Sequence, residues 1–159
     1  AVLLYGTPRL TRDIDITLGI DTDKFFSIEG ICKKLGLKII PKNPEKFANE
    51  TKVLPVEEAG LKIRVDFIFS FTPYEKQALK RIKKVKIDGY LVKFVSCEDA
   101  IIHKMLAGRA IDKEDVRNIL IKNKNKINLK YIKKWLCKFS KISGLEGTLG
   151  NFNRLLKQV

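Results

Sequence analysis

The sequence is poor in the residues that build cross-links and metal cages. Among its 159 residues are three Cys, one His, one Met and one Trp. Cys32, Cys97 and Cys137 are odd in number, far apart and set among apolar neighbours. They read as buried free thiols of a reducing compartment, which excludes a disulfide scaffold or a zinc ribbon. No stretch approaches the roughly 18 consecutive apolar residues of a membrane-spanning helix, and no leader pattern opens the chain. The expectation is a soluble, cytoplasmic protein without a membrane partner. No internal repeat and no low-complexity linker breaks it. Acidic charge is scarce in one half only. Residues 1–75 carry eleven Lys/Arg and eleven Asp/Glu, whereas residues 76–159 carry twenty-one against seven, so the net charge of +14 lies wholly in the second half. That basic half is either a lysine-decorated solvated surface or a surface for a polyanion.

What is present is organised around Gly6-Thr7-Pro8-Arg9-Leu10-Thr11-Arg12-Asp13-Ile14-Asp15-Ile16. The Gly and Pro predict a turn, because Gly tolerates positive φ and Pro holds its preceding residue extended. A strand follows over 13–19, in which Asp13, Asp15 and Thr17 alternate with Ile14, Ile16 and Leu18. Period-two alternation gives each set its own face. The Ile-Ile-Leu face is expected to enter the core, leaving two carboxylates side by side on the other. Two adjacent like charges repel, and a hard divalent cation reverses that balance, since Mg²⁺ takes carboxylate and phosphate oxygens. Asp-x-Asp on a solvent-facing strand is also an ordinary surface pattern. A second strand, over 61–70, strengthens the metal reading. Leu61, Ile63, Val65, Phe67 and Phe69 predict one apolar face, with Asp66 opposite beside Lys62 and Arg64. Asp is depleted in strands, and a third metal ligand would explain this one.

The motif Gly-x-Pro-Arg-x-Thr-x-Asp-Ile-Asp-Ile, with a single Asp on a distant strand, resembles the nucleotidyltransferase fold of the DNA polymerase beta superfamily. Within it, the chain is similar to the small prokaryotic branch that includes abortive-infection toxins of toxin–antitoxin pairs. The resemblance implies that Asp13, Asp15 and Asp66 are catalytic and hold two Mg²⁺ ions, with Mn²⁺ able to replace them. The metals would serve attack on the α-phosphate of a nucleoside triphosphate (NTP), with Arg9 and Thr11 on the substrate side. The family's first motif, a Gly-Gly or Gly-Ser pair at a helix start where N–H groups hold the triphosphate, is not met between Ala1 and Asp13. It is expected just upstream of Ala1.

The remaining elements are predicted in order. A helix end covers 1–5, and Asp21-x-Asp23 caps a helix over 24–35. A short strand follows at 37–40 and a loop over Pro41–Lys46. A hairpin joins strands near 52–57 and 61–70, and Pro73 opens a helix. Asp88-Gly89 turns a second hairpin. Helices follow near 97–108, 113–122, 128–139 and 145–157. The fold class is α/β in the α+β sense: a mixed-sheet nucleotidyltransferase core over 1–95, and a helical part over 96–159 packed on it as the same domain.

Ser96-Cys97-Glu98-Asp99 reads as a capping box, which gives Asp99 a structural role. Asp99, Lys104, Arg109, Asp112 and Asp115 match the spacing of the toxin branch's later motifs. The resemblance implies that Lys104 and Arg109 bind the triphosphate and that Asp112 and Asp115 organise the site. Without the resemblance, Asp112 is a helix N-cap, Asp115 a first-turn acid and Lys104 a surface residue. Lys130, Lys133, Lys134 and Lys138, with Lys141, stand at helical spacing opposite Ile132, Trp135, Leu136 and Phe139. The apolar set is expected in the core. The lysines are either a solvated face or a nucleic-acid surface.

Two functions are carried forward. One is a metal-dependent enzyme moving a nucleoside monophosphate from an NTP to an acceptor hydroxyl, RNA or tRNA favoured, as the toxin partner of an antitoxin protein. The other is a non-catalytic module on the same fold, binding nucleic acid or a protein.

Overall fold

The computed structural model describes residues 2–8, 11, 13–70 and 72–159, with Val2 and Leu3 by backbone alone. The fold is mixed α+β. It forms two compact units, residues 10–79 and residues 1–9 with 80–159. The short helix α1 (Val2–Tyr5) belongs to the latter.

In the unit 10–79, four strands form one sheet: β1 (Asp13–Thr17), β2 (Lys38–Ile39), β3 (Val53–Glu57) and β4 (Arg64–Ile68), in the spatial order β1-β4-β3-β2. β1 runs parallel to β4, and the other pairs are antiparallel. Helix α2 (Phe25–Lys34) presents Phe25, Ile28 and Cys32 to one sheet face, a spacing that keeps all three on one side of a helix. They pack with Ala48, Leu54, Val56, Val65, Phe67 and Phe69 as the core of the unit.

Three expectations are corrected here. Ile14 and Ile16 do not enter the core; they are 49% and 40% exposed, and only Leu18 packs against it. β1 is an edge strand, and α2 covers the central pair β3 and β4. β4 begins at Arg64, so Leu61 is exposed and lies outside the strand. The segment read as a loop over Pro41–Lys46 ends in a helix, α3 (Pro44–Thr51), with Pro44 in its first turn. Pro at that position costs no hydrogen bond, because the first N–H groups of a helix have no internal partner. Helix α4 (Pro73–Leu79) closes the unit with a reciprocal cap. The Glu75 carboxylate accepts from the Thr72 N–H and hydroxyl, each at 2.9 Å, while the Thr72 hydroxyl accepts from the Glu75 N–H at 3.3 Å.

The other unit begins with the hairpin of β5 (Lys83–Ile87) and β6 (Tyr90–Phe94), which stands as its own two-stranded sheet. Asp88 and Gly89 both take positive φ, 46° and 85°, the tight-turn geometry that suits strand twist. Four helices follow: α5 (Cys97–Ala107), α6 (Ala110–Asn123), α7 (Leu129–Phe139) and α8 (Thr148–Leu156). Ile101, Ile102, Val116, Ile119, Ile132, Leu136 and Phe152 are fully buried among them. α1 is tied to the same unit. The Tyr5 hydroxyl donates to the Val95 carbonyl at 2.8 Å, and the Asn123 amide donates to the Tyr5 carbonyl at 2.9 Å. All three cysteines are free thiols, but only Cys32 is buried; Cys137 lies on the exposed side of α7, against expectation. Among the described residues no helix is long and apolar enough to cross a membrane.

Candidate functional site

The parallel register of β1 on β4 pairs Asp13 with Arg64 and Asp15 with Asp66. Paired residues of neighbouring strands share a face, and strands lie about 4.8 Å apart. The sheet therefore brings Asp13, Asp15 and Asp66 to one face, opposite the one that packs with α2. Asp13 and Asp15 are exposed, while the Asp66 carboxylate is only 16% exposed. Thr11 is exposed just ahead of the strand, and Arg9 lies outside the described residues. Among the described residues no group of three His, Cys, Asp or Glu stands as a preformed metal cage.

Arg64 is the residue that sequence reasoning left out of the site. Its Nε donates to Asp66 Oδ1 at 2.8 Å. That hydrogen bond, with the negative charges of Asp66, Asp13 and Asp15, raises the guanidinium pKa above its ordinary value. Arg64 thus relieves the repulsion among three carboxylates on one sheet face. The signal was available: Arg64 precedes Asp66 by two, and residues i and i+2 of a strand share a face.

The second constellation sits in the helical unit. Gly108 ends α5 with φ 68° and donates its N–H to the Lys104 carbonyl, the usual left-handed helix stop. The chain turns at once into α6, which starts at Ala110, so Asp112 lies within its first turn and is no N-cap. Asp112 is fully buried. It accepts from Lys104 Nζ at 2.7 Å, from Arg109 Nε at 2.7 Å and from the Arg109 backbone at 3.3 Å. Burial pushes its carboxyl pKa up, but the hydrogen bonds and charges of Arg109 and Lys104 outweigh that, so the net shift is downward. Lys104 also reaches Asp115 Oδ2 at 3.0 Å. Its side chain is 19% exposed, whereas that of Arg109 is 69% exposed. Lys104 holds the two buried acids, and Arg109 is the member that solvent and solutes reach. His103 is on the exposed side of α5.

Asp99 has the structural role expected of it, and a larger one. Ser96 caps α5 by accepting from the Asp99 N–H at 3.1 Å and donates its own hydroxyl back to the Asp99 carboxylate at 2.5 Å. Tyr131 of α7 donates to the same carboxylate at 2.8 Å, and Arg81 lies 4.0 Å over the Tyr131 ring. Burial, then the bond to Asp99, raises the Tyr131 hydroxyl pKa. This network joins α5 to α7. Along α7, Tyr131, Ile132, Trp135 and Leu136 are buried, and Lys130, Lys133, Lys134 and Lys138 are exposed, with Lys138 lying over the Trp135 ring at 4.6 Å.

A family model described as nucleotidyl transferase of unknown function (DUF2204) matches residues 49–144. The chain belongs to this nucleotidyl transferase family. The matched span carries Asp66, Lys104, Arg109, Asp112, Asp115 and the lysines of α7, while Asp13 and Asp15 precede it. A comparison with curated proteins returned no match.

Proposed function

We propose that the protein transfers a nucleoside monophosphate from an NTP to an acceptor hydroxyl, with Asp13, Asp15 and Asp66 as the reacting centre. The observation that carries this reading is the register that pairs Asp15 with Asp66 beside Asp13 on one sheet face. The donor set fits a hard divalent cation, since Mg²⁺ uses one or two carboxylates and completes its shell with water and phosphate oxygens. Asp13, Asp15 and Asp66 would hold Mg²⁺ or Mn²⁺, which supplies charge stabilisation for the phosphate oxygens. Asp66 takes the proton of the acceptor hydroxyl. The acceptor oxygen then bonds to the α-phosphorus, the bond from that phosphorus to its bridging oxygen breaks, and pyrophosphate leaves with the electron pair. Arg64 keeps Asp66 oriented. Thr11 is assigned to the substrate side.

The test incubates the protein with each labelled NTP, Mg²⁺ and RNA, protein or small hydroxyl acceptors. Labelled acceptor and released pyrophosphate are the expected products. Their absence with every acceptor would count against the reading. The non-catalytic alternative has one observation in its favour, the Arg64 guanidinium already bonded to Asp66. A rise in melting temperature with Mg·NTP that Asp15→Asn abolishes would exclude it.

The favoured acceptor is RNA, tRNA foremost, and the setting a cytoplasmic toxin with an antitoxin partner. The basis for RNA is charge: the excess lies after residue 75, and α7 exposes four lysines on one face. Affinity for RNA should fall linearly with log salt, by roughly 0.7 to 0.9 per phosphate contacted. Replacing Lys130, Lys133, Lys134 and Lys138 by Gln should flatten that slope by about three units while leaving NTP binding unchanged. An unchanged slope would make the stripe a solvated face.

A further inference from the structure

The sheet face that carries the carboxylates continues into a groove. Across the four strands one row runs Asp15, Asp66, Pro55 and Ile40: Asp15 pairs with Asp66, Asp66 with Pro55, and Ile40 donates its N–H to the Pro55 carbonyl at 3.1 Å. Pro55 has no N–H to return, so the ladder between β2 and β3 stops there and the chain departs at Pro41. The departure leaves an open groove of about 490 Å³, floored by Ile40 and Pro55, walled by Phe47 of α3, and bounded by Lys42, Lys46 and Arg64. Ile40 and Phe47 are exposed at 48% and 37%. The volume is that of a small-molecule site. Exposed apolar and aromatic surface ringed by cations suits a ligand with an aromatic ring and phosphates. Glu50 is the one acid on the lining, and it stands 4.0 Å from Lys46.

We propose that this groove seats the terminal nucleotide of the acceptor strand, with its base against Phe47 and Ile40 and its ribose hydroxyl toward Asp66. The proposal rests on the nucleotidyl-transfer reading above. Two strand spacings, roughly 10 Å, separate Asp66 from the Ile40 end of the row, about the span of a nucleoside. The position of the cations decides between acceptor and donor. A donor NTP seated with its base in the groove would carry its phosphates at the carboxylate end, where Asp13, Asp15 and Asp66 would hold the metal. Lys42 and Lys46 lie at the other end and would then face no phosphate. An acceptor strand continues past its terminal base through phosphodiesters, and these are what Lys42 and Lys46 would meet.

The test measures binding of four fluorescein-labelled homotrinucleotide RNAs to the full chain by anisotropy, without Mg²⁺ or NTP. The parent should bind at least one of them. Phe47→Ala should weaken that binding about ten-fold, in line with loss of one base stack. Lys42→Gln with Lys46→Gln should weaken it and lower its salt slope. Both changes are at exposed positions, so the variants are expected to fold, and far-ultraviolet circular dichroism checks this. Saturating Mg·NTP should not displace the RNA. Three results would overturn the proposal: no trinucleotide bound by the parent, parental affinity in both groove variants, or displacement by Mg·NTP, which would give the groove to the donor. If the parent transfers no nucleotide to any acceptor but its RNA binding follows Phe47 and the two lysines, the catalytic reading fails and the groove stands.

Discussion

Asp66→Asn is expected to lower nucleotidyl transfer by roughly 10²- to 10⁴-fold, the range that a positioned general base supplies. The Asp66 side chain is 16% exposed, sits beside Asp15 in the register of β1 on β4, and holds Arg64 at 2.8 Å. Asn keeps an oxygen for the Arg64 Nε, so the strand and its guanidinium should stay in place. It also removes one of three like charges, so the variant should melt at or above the parental temperature. Mg·NTP binding through Asp13 and Asp15 should largely persist. Single-turnover transfer with labelled NTP, run beside a thermal melt with and without Mg·NTP, separates the two effects. A variant that binds Mg·NTP and turns over like the parent would remove Asp66 from the reacting centre.

The largest effect on stability is expected at Lys104. Its ammonium lies 2.7 Å from Asp112 and 3.0 Å from Asp115, both buried. Lys104→Met leaves two carboxylates facing each other with one cation fewer. Breaking a buried pair by removing one partner costs about 3–5 kcal/mol, which for a chain of this size lowers the melting temperature by roughly 10 °C. The pH dependence has a definite sign. In the parent the Asp112 pKa is depressed, so its contribution is present above the unfolded carboxyl value and is lost as pH falls through the folded one. In the variant, burial of Asp112 acts with less opposition and that carboxylate gains a proton more readily. Its deficit against the parent should therefore be greatest near neutral pH and shrink below about pH 5. Asp115→Asn placed on Lys104→Met should recover part of the loss. If Lys104→Met melts like the parent at pH 7 and only NTP binding suffers, the lysine serves the triphosphate alone.

Much of this was legible in local pattern. Strand alternation placed Asp13 and Asp15 on one face and singled out Asp66 as an acid with no reason to be in a strand. Asp88-Gly89, Thr72-Pro73 and Ser96 each specify a turn or a helix start through backbone chemistry that needs no distant partner. α7 was equally readable, because its apolar residues recur at helical spacing and its lysines do not share that face. α3 escaped notice because two prolines read as a loop, although the second is an acceptable first helical residue.

The sequence by itself determined which residues are chemically able to act: three carboxylates on strands, a Lys–Arg–Asp–Asp cluster at helical spacing, and a basic second half. Tertiary structure decided which of them meet. Only the parallel pairing of β1 with β4 sets Asp15 beside Asp66, because a strand's register depends on the partner it finds and not on its own residues. The edge position of β1, which leaves Ile14 and Ile16 half exposed, follows from the same pairing. Lys104 and Asp112 stand eight residues apart, and their contact depends on the Gly108 turn folding α6 back on α5. The groove beyond Pro55 was the least legible feature, since its floor and walls come from three separated segments that share a face only once the sheet has formed.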